Sequence, residues 1–184
     1  MKSRSLIIAF LLIFAYGCSK EGKNEETAME GSSSAVIGED YSRAFSLSLN
    51  SGETLYMQRN QKGFDIEDNN KAVLFAFFAT WCPPCKAEIP YLVNLQDKFE
   101  KNLRVVGVLM EDRTNDEIKE FIKMYNINYD IAYGDNNYFF AKALGGVVGI
   151  PFMVLYYPDG KYANAYTGMV PLEMLESDVK KVIL

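Results

Sequence analysis

Cys82 and Cys85 stand two residues apart, with Pro83 and Pro84 between them and Trp81 immediately before. A pair at this spacing can contribute to a zinc site, close a structural disulfide, or trade electrons with another thiol pair. A cysteine zinc site needs four ligands, usually from a second such pair or from histidines. The chain has no histidine, and its third cysteine, Cys18, lies far upstream. No metal is therefore expected. A permanent disulfide across so small a loop removes little chain entropy and stabilises little. Redox exchange is the favoured reading.

That chemistry needs a particular setting, and the flanking pattern supplies it. Residues 72–79, AVLFAFFA, form a continuous apolar run of strand length, read as a central buried strand. A helical pattern follows from Cys82 or Pro83 to about Lys101, with Ile89, Leu92, Val93, Leu95 and Phe99 on its apolar stripe. The cysteine pair then sits at a helix N-terminus, where unpaired N–H groups and the helix dipole favour thiolate over thiol. Cys82 is expected to be exposed and to attack; Cys85, one turn inside, is expected to be shielded and to resolve the mixed disulfide. Glu88, three residues after Cys85, is its neighbour on the helix. There it is either a surface charge or a carboxylate that exchanges a proton with the buried thiol. Trp81 is expected to pack beside the cysteines, and Pro90 to kink the helix.

The rest of the chain reads as alternating elements. AFSLSLNSGETLYMQ, residues 44–58, is a hairpin, and LRVVGVLM a second buried strand. A helix capped at Thr114 or Asn115, a short strand DIAYG, and a short helix stopped by Gly145 and Gly146 come next. Two strands joined at Pro158-Asp159-Gly160 and a closing helix with Pro171 near its start complete the chain. The fold class is α/β, a central mixed sheet flanked by helices, with an N-terminal β-hairpin extension.

WCPPCKAEIP resembles the thioredoxin superfamily, and within it the exported, membrane-tethered thiol–disulfide oxidoreductases of the TlpA/ResA-like kind, related to cytochrome c maturation. A second segment, VVGIPFMVLYYPDGKY at residues 147–162, resembles the stretch in which a cis-proline faces the cysteine pair. The likeness covers roughly residues 41–184, and Gly168 fits the glycine after the last strand. It implies that Pro151 is cis and that the Ile150 backbone pairs with a bound client chain. Trp81, Pro83 and Pro84 complete the implied client-binding surface. An acidic residue at the Glu88 position is common in the tethered group, which favours a functional role for it. No cofactor beyond the redox-active Cys82–Cys85 disulfide is implied.

The ends of the chain and its charge bear on location. Residues 1–17 have a basic start at Lys2 and Arg4, an apolar run from Leu6 to Phe14 and small residues at Ala15 and Gly17, the layout of an export signal. The segment resembles a lipoprotein signal, which implies lipidation of Cys18 and attachment to a membrane face. Residues 18–38 are read as a polar, flexible tether and 39–184 as the thioredoxin-like domain. Localisation is expected at the periplasmic face of a bacterial inner or outer membrane. Without residues 1–17 the chain has 17 basic and 24 acidic residues, a formal charge of −7. It has no basic cluster, so nucleic acid is not an expected partner.

Strong oxidants of the superfamily often carry histidine between the cysteines; here both residues are prolines without N–H groups. This points to a moderately lowered thiol pKa and a low reduction potential. The expected activity is reduction of disulfides in client proteins such as apocytochrome c or a redox partner, with a membrane dithiol relay supplying electrons. Alternatives are a disulfide oxidase or isomerase, a thiol peroxidase, and a non-catalytic thioredoxin-like binding module. The peroxidase reading lacks its threonine: Ala79, not threonine, stands three residues before Cys82.

Overall fold

The computed structural model describes residues 40–67 and 69–184. The leader, Cys18 and the tether lie outside the described residues. Eight strands form one mixed sheet, and alternation along them sets its two faces. The strands are β1 (Phe45–Leu49), β2 (Thr54–Arg59), β3 (Phe64–Ile66), β4 (Ala72–Phe78), β5 (Leu103–Leu109), β6 (Asp130–Tyr133), β7 (Phe152–Tyr156) and β8 (Tyr162–Thr167). Their spatial order is β3-β2-β1-β6-β5-β4-β7-β8. β4 pairs in parallel with β5 and antiparallel with β7, which places it inside the sheet. All seven of its residues are buried, as the unbroken apolar run requires.

Because side chains alternate along a strand, β4 feeds two cores. Leu74, Ala76 and Phe78 point to one face, where helices α1 (Pro83–Phe99), α2 (Asn115–Tyr125) and α4 (Leu172–Ile183) contribute Ile89, Leu92, Phe121 and Val179. Val73, Phe75 and Phe77 point to the other, toward α3 (Asn136–Ala143) and the inner side chains of the first three strands. There Phe140 is fully buried, its ring centroid 4.8 Å from Phe75 and 5.3 Å from both Phe64 and Phe77.

Local chemistry explains the ends of the elements. Thr114 caps α2 with a reciprocal capping box to Glu117. Gly145 and Gly146, both at positive φ, stop α3. α1 continues through Pro90 and ends at Phe99, slightly short of the predicted Lys101. The predicted hairpin is β1–β2, in the register Phe45–Met57 and Leu47–Leu55. The hairpin extends the sheet: β1 also pairs with β6, and β2 with β3, a strand the sequence reading missed. The far end of β3 meets the β7–β8 turn, where the Phe64 N–H donates to the Gly160 carbonyl. A Cβ on Gly160 would lie 1.8 Å from the Phe64 carbonyl oxygen, so only glycine allows this approach.

Candidate active site

The β4 strand ends at the helix side of the sheet, and Ala79, Thr80 and Trp81 lead directly into Cys82. Cys82 is the N-cap of α1, with extended backbone angles (φ −84°, ψ 107°). Pro83 and Pro84 fill the first two helical positions, where an N–H would have no intrahelical partner in any case. The first N–H that the helix can offer is that of Cys85, and it donates to Cys82 Sγ at 3.3 Å. The two sulfurs are joined in a disulfide, with Cα atoms 5.3 Å apart. The helix therefore directs its one available N-terminal donor at the sulfur expected to become the nucleophile.

The exposures correct one sequence expectation. Cys82 is not exposed: it is 3% accessible, and Cys85 is 4% accessible. Its sulfur turns inward to bond Cys85 and to accept the Cys85 N–H. Trp81, in contrast, is 64% exposed, in the position of a contact surface beside the pair. Pro83 and Pro84 are also exposed, and Val148 and Met169 are further large apolar side chains open to solvent.

Glu88 lies one turn beyond Cys85 and is 2% accessible, so the surface-charge reading does not hold. Its Oε1 accepts the Val170 N–H at 3.1 Å. Burial pushes its pKa up to about 7, against a smaller lowering from that bond. A carboxyl of this kind changes protonation near neutrality, as proton transfer to and from a thiol demands. Glu88 and Cys85 line one small internal cavity with Pro151 and Tyr129. The Ile150–Pro151 peptide bond is cis. The Pro151 carbonyl accepts the Gly168 N–H at 2.8 Å, tying this segment to the loop that leads to Val170.

Of the residues read from the sequence as a site, the structure brings Cys82, Cys85, Glu88 and Pro151 together. Ile150 is half-buried beside Pro151 and packs against both cores. Trp81, Pro83 and Pro84 form the exposed side of the same region. Two features escaped the sequence reading. One is Tyr129, a buried phenol in the cavity wall. The other is a polar clamp on the residue before Trp81. The Thr80 N–H donates to Glu111 Oε1, and Arg113 donates to the Thr80 hydroxyl, to Glu111 and to Glu117, each at 3.1 Å. Burial pushes Glu111 upward, but the bonds from Thr80 and Arg113 outweigh it and hold the carboxyl below its usual range. An acid just past the end of β5 and an arginine two residues on were the available sequence signal. Among the described residues, no group of three or more His, Cys, Asp or Glu side chains could hold a metal ion.

A cysteine pair on a helix N-terminus, sharing one small cavity with a cis-proline and a buried acid, is a thiol-exchange arrangement. The family model for redoxin matches residues 41–183. The chain belongs to the redoxin family. Among its relatives in that family's chemistry, the thiol-disulfide oxidoreductase ResA of Bacillus thuringiensis subsp. konkukian is 32% identical over 123 residues, covering 66% of this chain and 69% of that protein. ResA of Bacillus subtilis is 28% identical over 120 residues, covering 63% and 64%. The fold is shared with StoA from Bacillus subtilis (TM-score 0.59, 20% identity, 74% of this chain and 96% of that one). It is also shared with the thioredoxin domain of a thiol-disulfide oxidoreductase from Bacteroides vulgatus (TM-score 0.59, 22% identity, 78% and 95%). The redoxin domain described here is a thioredoxin-like oxidoreductase that carries out thiol–disulfide exchange.

Proposed function

We propose that this redoxin acts outside the cytoplasm as a reductase of disulfides in client proteins, apocytochrome c or an oxidised redox partner being the substrate class. The observation that carries the reading is the buried Glu88 carboxyl beside Cys85, under a helix N-terminus whose two leading residues are prolines. In the reduced protein, the Cys82 thiolate attacks one sulfur of the client disulfide. That S–S bond breaks, a mixed disulfide forms, and the departing client sulfur takes a proton from solvent. Glu88 accepts the proton of Cys85, and the Cys85 thiolate attacks Cys82 Sγ. The intramolecular disulfide closes and the second client sulfur leaves, so two electrons have passed to the client. Trp81, Pro83 and Pro84 give the client an apolar surface, and the Ile150 backbone gives its chain a hydrogen-bonding edge.

Electrons then return from a membrane dithiol relay, with the Cys82–Cys85 pair as the sole redox group and no further cofactor. The basic, apolar leader and the position of Cys18 support export and a lipid anchor at the bacterial cell envelope, on the periplasmic face. Among the described residues, no helix is long and apolar enough to cross a membrane. The test is the reduction potential of the Cys82–Cys85 pair, by equilibration with glutathione. A value near or below about −270 mV agrees with a reductase; one near about −120 mV makes the protein a donor of disulfides and ends this reading.

A further inference from the structure

Glu88 has only half of its hydrogen bonding accounted for. Oε1 takes the Val170 N–H, and among the described residues no donor reaches Oε2. Tyr129 is in the same condition. It immediately precedes β6, it is buried, and among the described residues its hydroxyl has no hydrogen-bond partner. Buried polar groups are nearly always paired, with protein or with ordered water. Both residues line the cavity beside Cys85, and its volume of about 10 Å³ is enough for one water molecule. A water there lies among Glu88, Tyr129 and Cys85, whose sulfur is disulfide-bonded here and becomes a thiol on reduction, within the two to four polar partners that a buried water needs.

We propose that Tyr129 is a positioning residue for Glu88, its hydroxyl donating through one water in this cavity to Oε2 and thereby setting how tightly Glu88 holds a proton. The assignment rests on the reading of Glu88 as the proton acceptor for Cys85 and adds the group that tunes it. Tyr129 is suited to donate. Burial, reinforced by the nearby Glu88, pushes its own pKa far above the ordinary phenol value, so it keeps its proton at every working pH. Nothing else around the cavity competes. Cys85 of α1 is the other group in its wall that carries a proton once the disulfide is reduced; Ala76 and Phe78 of β4, Gly107 of β5 and Pro151 carry none. The segment before α4 presents the Val170 N–H.

Tyr129→Phe in the full chain removes the hydroxyl and keeps the ring, which packs against Gly107. The carboxyl of Glu88 is followed by infrared difference spectroscopy, with Glu88→Gln identifying its band. The expected result is an upward shift of the Glu88 midpoint by about one pH unit, a roughly tenfold change in proton affinity. The pH profile of single-turnover disulfide reduction should move with it, and Tyr129→Phe should add nothing in a Glu88→Gln background. An unchanged midpoint overturns the proposal, and so does an equal loss of rate with and without Glu88, which marks a purely structural role. If Tyr129→Phe moves the midpoint while Glu88→Gln leaves the rate profile untouched, Tyr129 still tunes Glu88, and the proton-acceptor reading is what fails.

Discussion

The two faces of the sheet are built from the same strand and buried to the same degree, yet they differ in kind. The face under α3 is an aromatic cluster: Phe45, Phe64, Phe75, Phe77 and Phe140 pack at centroid distances of 4.8–6.0 Å. The face under α1 is mainly aliphatic and contains a disulfide, a carboxyl and a phenol around a cavity. Edge-to-face rings add stability beyond their buried area. A buried carboxyl subtracts from it wherever the pH makes it ionise. Both sides of the sheet bury a core, and only one carries protonation chemistry, with the β4 backbone shared between them.

The sharpest way to separate the faces is to remove the sulfur. Cys82→Ser is expected to abolish disulfide exchange while leaving the fold intact, as read by insulin reduction alongside circular dichroism. Cys85→Ser should keep the attack and lose the release, so that a mixed disulfide with client accumulates on non-reducing gels. Activity retained by Cys82→Ser would move the chemistry away from the helix N-terminus altogether.

The aromatic face should respond the opposite way. Phe140→Ala opens a cavity among four rings and is expected to cost about 3–5 kcal/mol in denaturant unfolding. The reduction potential of the surviving folded protein should not move. A shifted potential would mean that the two faces are coupled through β4.

Glu88→Gln tests the cost on the active face. The folded carboxyl titrates near 7 and its ordinary value is 4.5, so the fold favours the neutral form. That contribution is complete below pH 4.5 and is lost as the pH rises through 7. Above this window the wild type holds a buried negative charge and the glutamine does not. The variant should therefore be more stable by on the order of 2 kcal/mol at about pH 8, and equal to wild type at about pH 4. Urea unfolding at the two pH values decides it. Equal stability at both would place Glu88 in water.

How far these differences were legible depends on the signal each residue sends. The unbroken run Ala72–Ala79 and the alternation of Phe45, Leu47 and Leu49 identify buried strands by periodicity alone. Cys82 and Cys85 announce themselves by type and spacing. β3 was missed because three residues carry too short a pattern, and its pairing with β2 is a tertiary fact. The exposure of Trp81 was not readable from its type, because apolar character predicts burial only on average; beside a site, an exposed aromatic is a contact surface. Tyr129 could not be found from sequence, since nothing local distinguishes a phenol facing a cavity from one facing the core. The burial of Glu88 was readable only as the alternative to a surface glutamate, because helix spacing gives the neighbour and not the depth.

The smallest expected effect lies where the active face meets α2. Thr114 caps that helix, its hydroxyl accepting the Glu117 N–H while the Glu117 carboxylate accepts the Thr114 N–H. Thr114→Ala removes the cap and should cost about 1 kcal/mol of stability. The same Glu117 carboxylate also takes a bond from Arg113, which in turn holds the Thr80 hydroxyl two residues before Cys82. Exposed ion pairs of this kind are individually weak. The capping loss is therefore expected to stay in α2, with the rate of disulfide exchange unchanged per folded molecule. If the rate falls together with stability, the clamp on Thr80 transmits the disturbance to the cysteine pair. The active face would then extend from the cavity, through Arg113, to the start of α2.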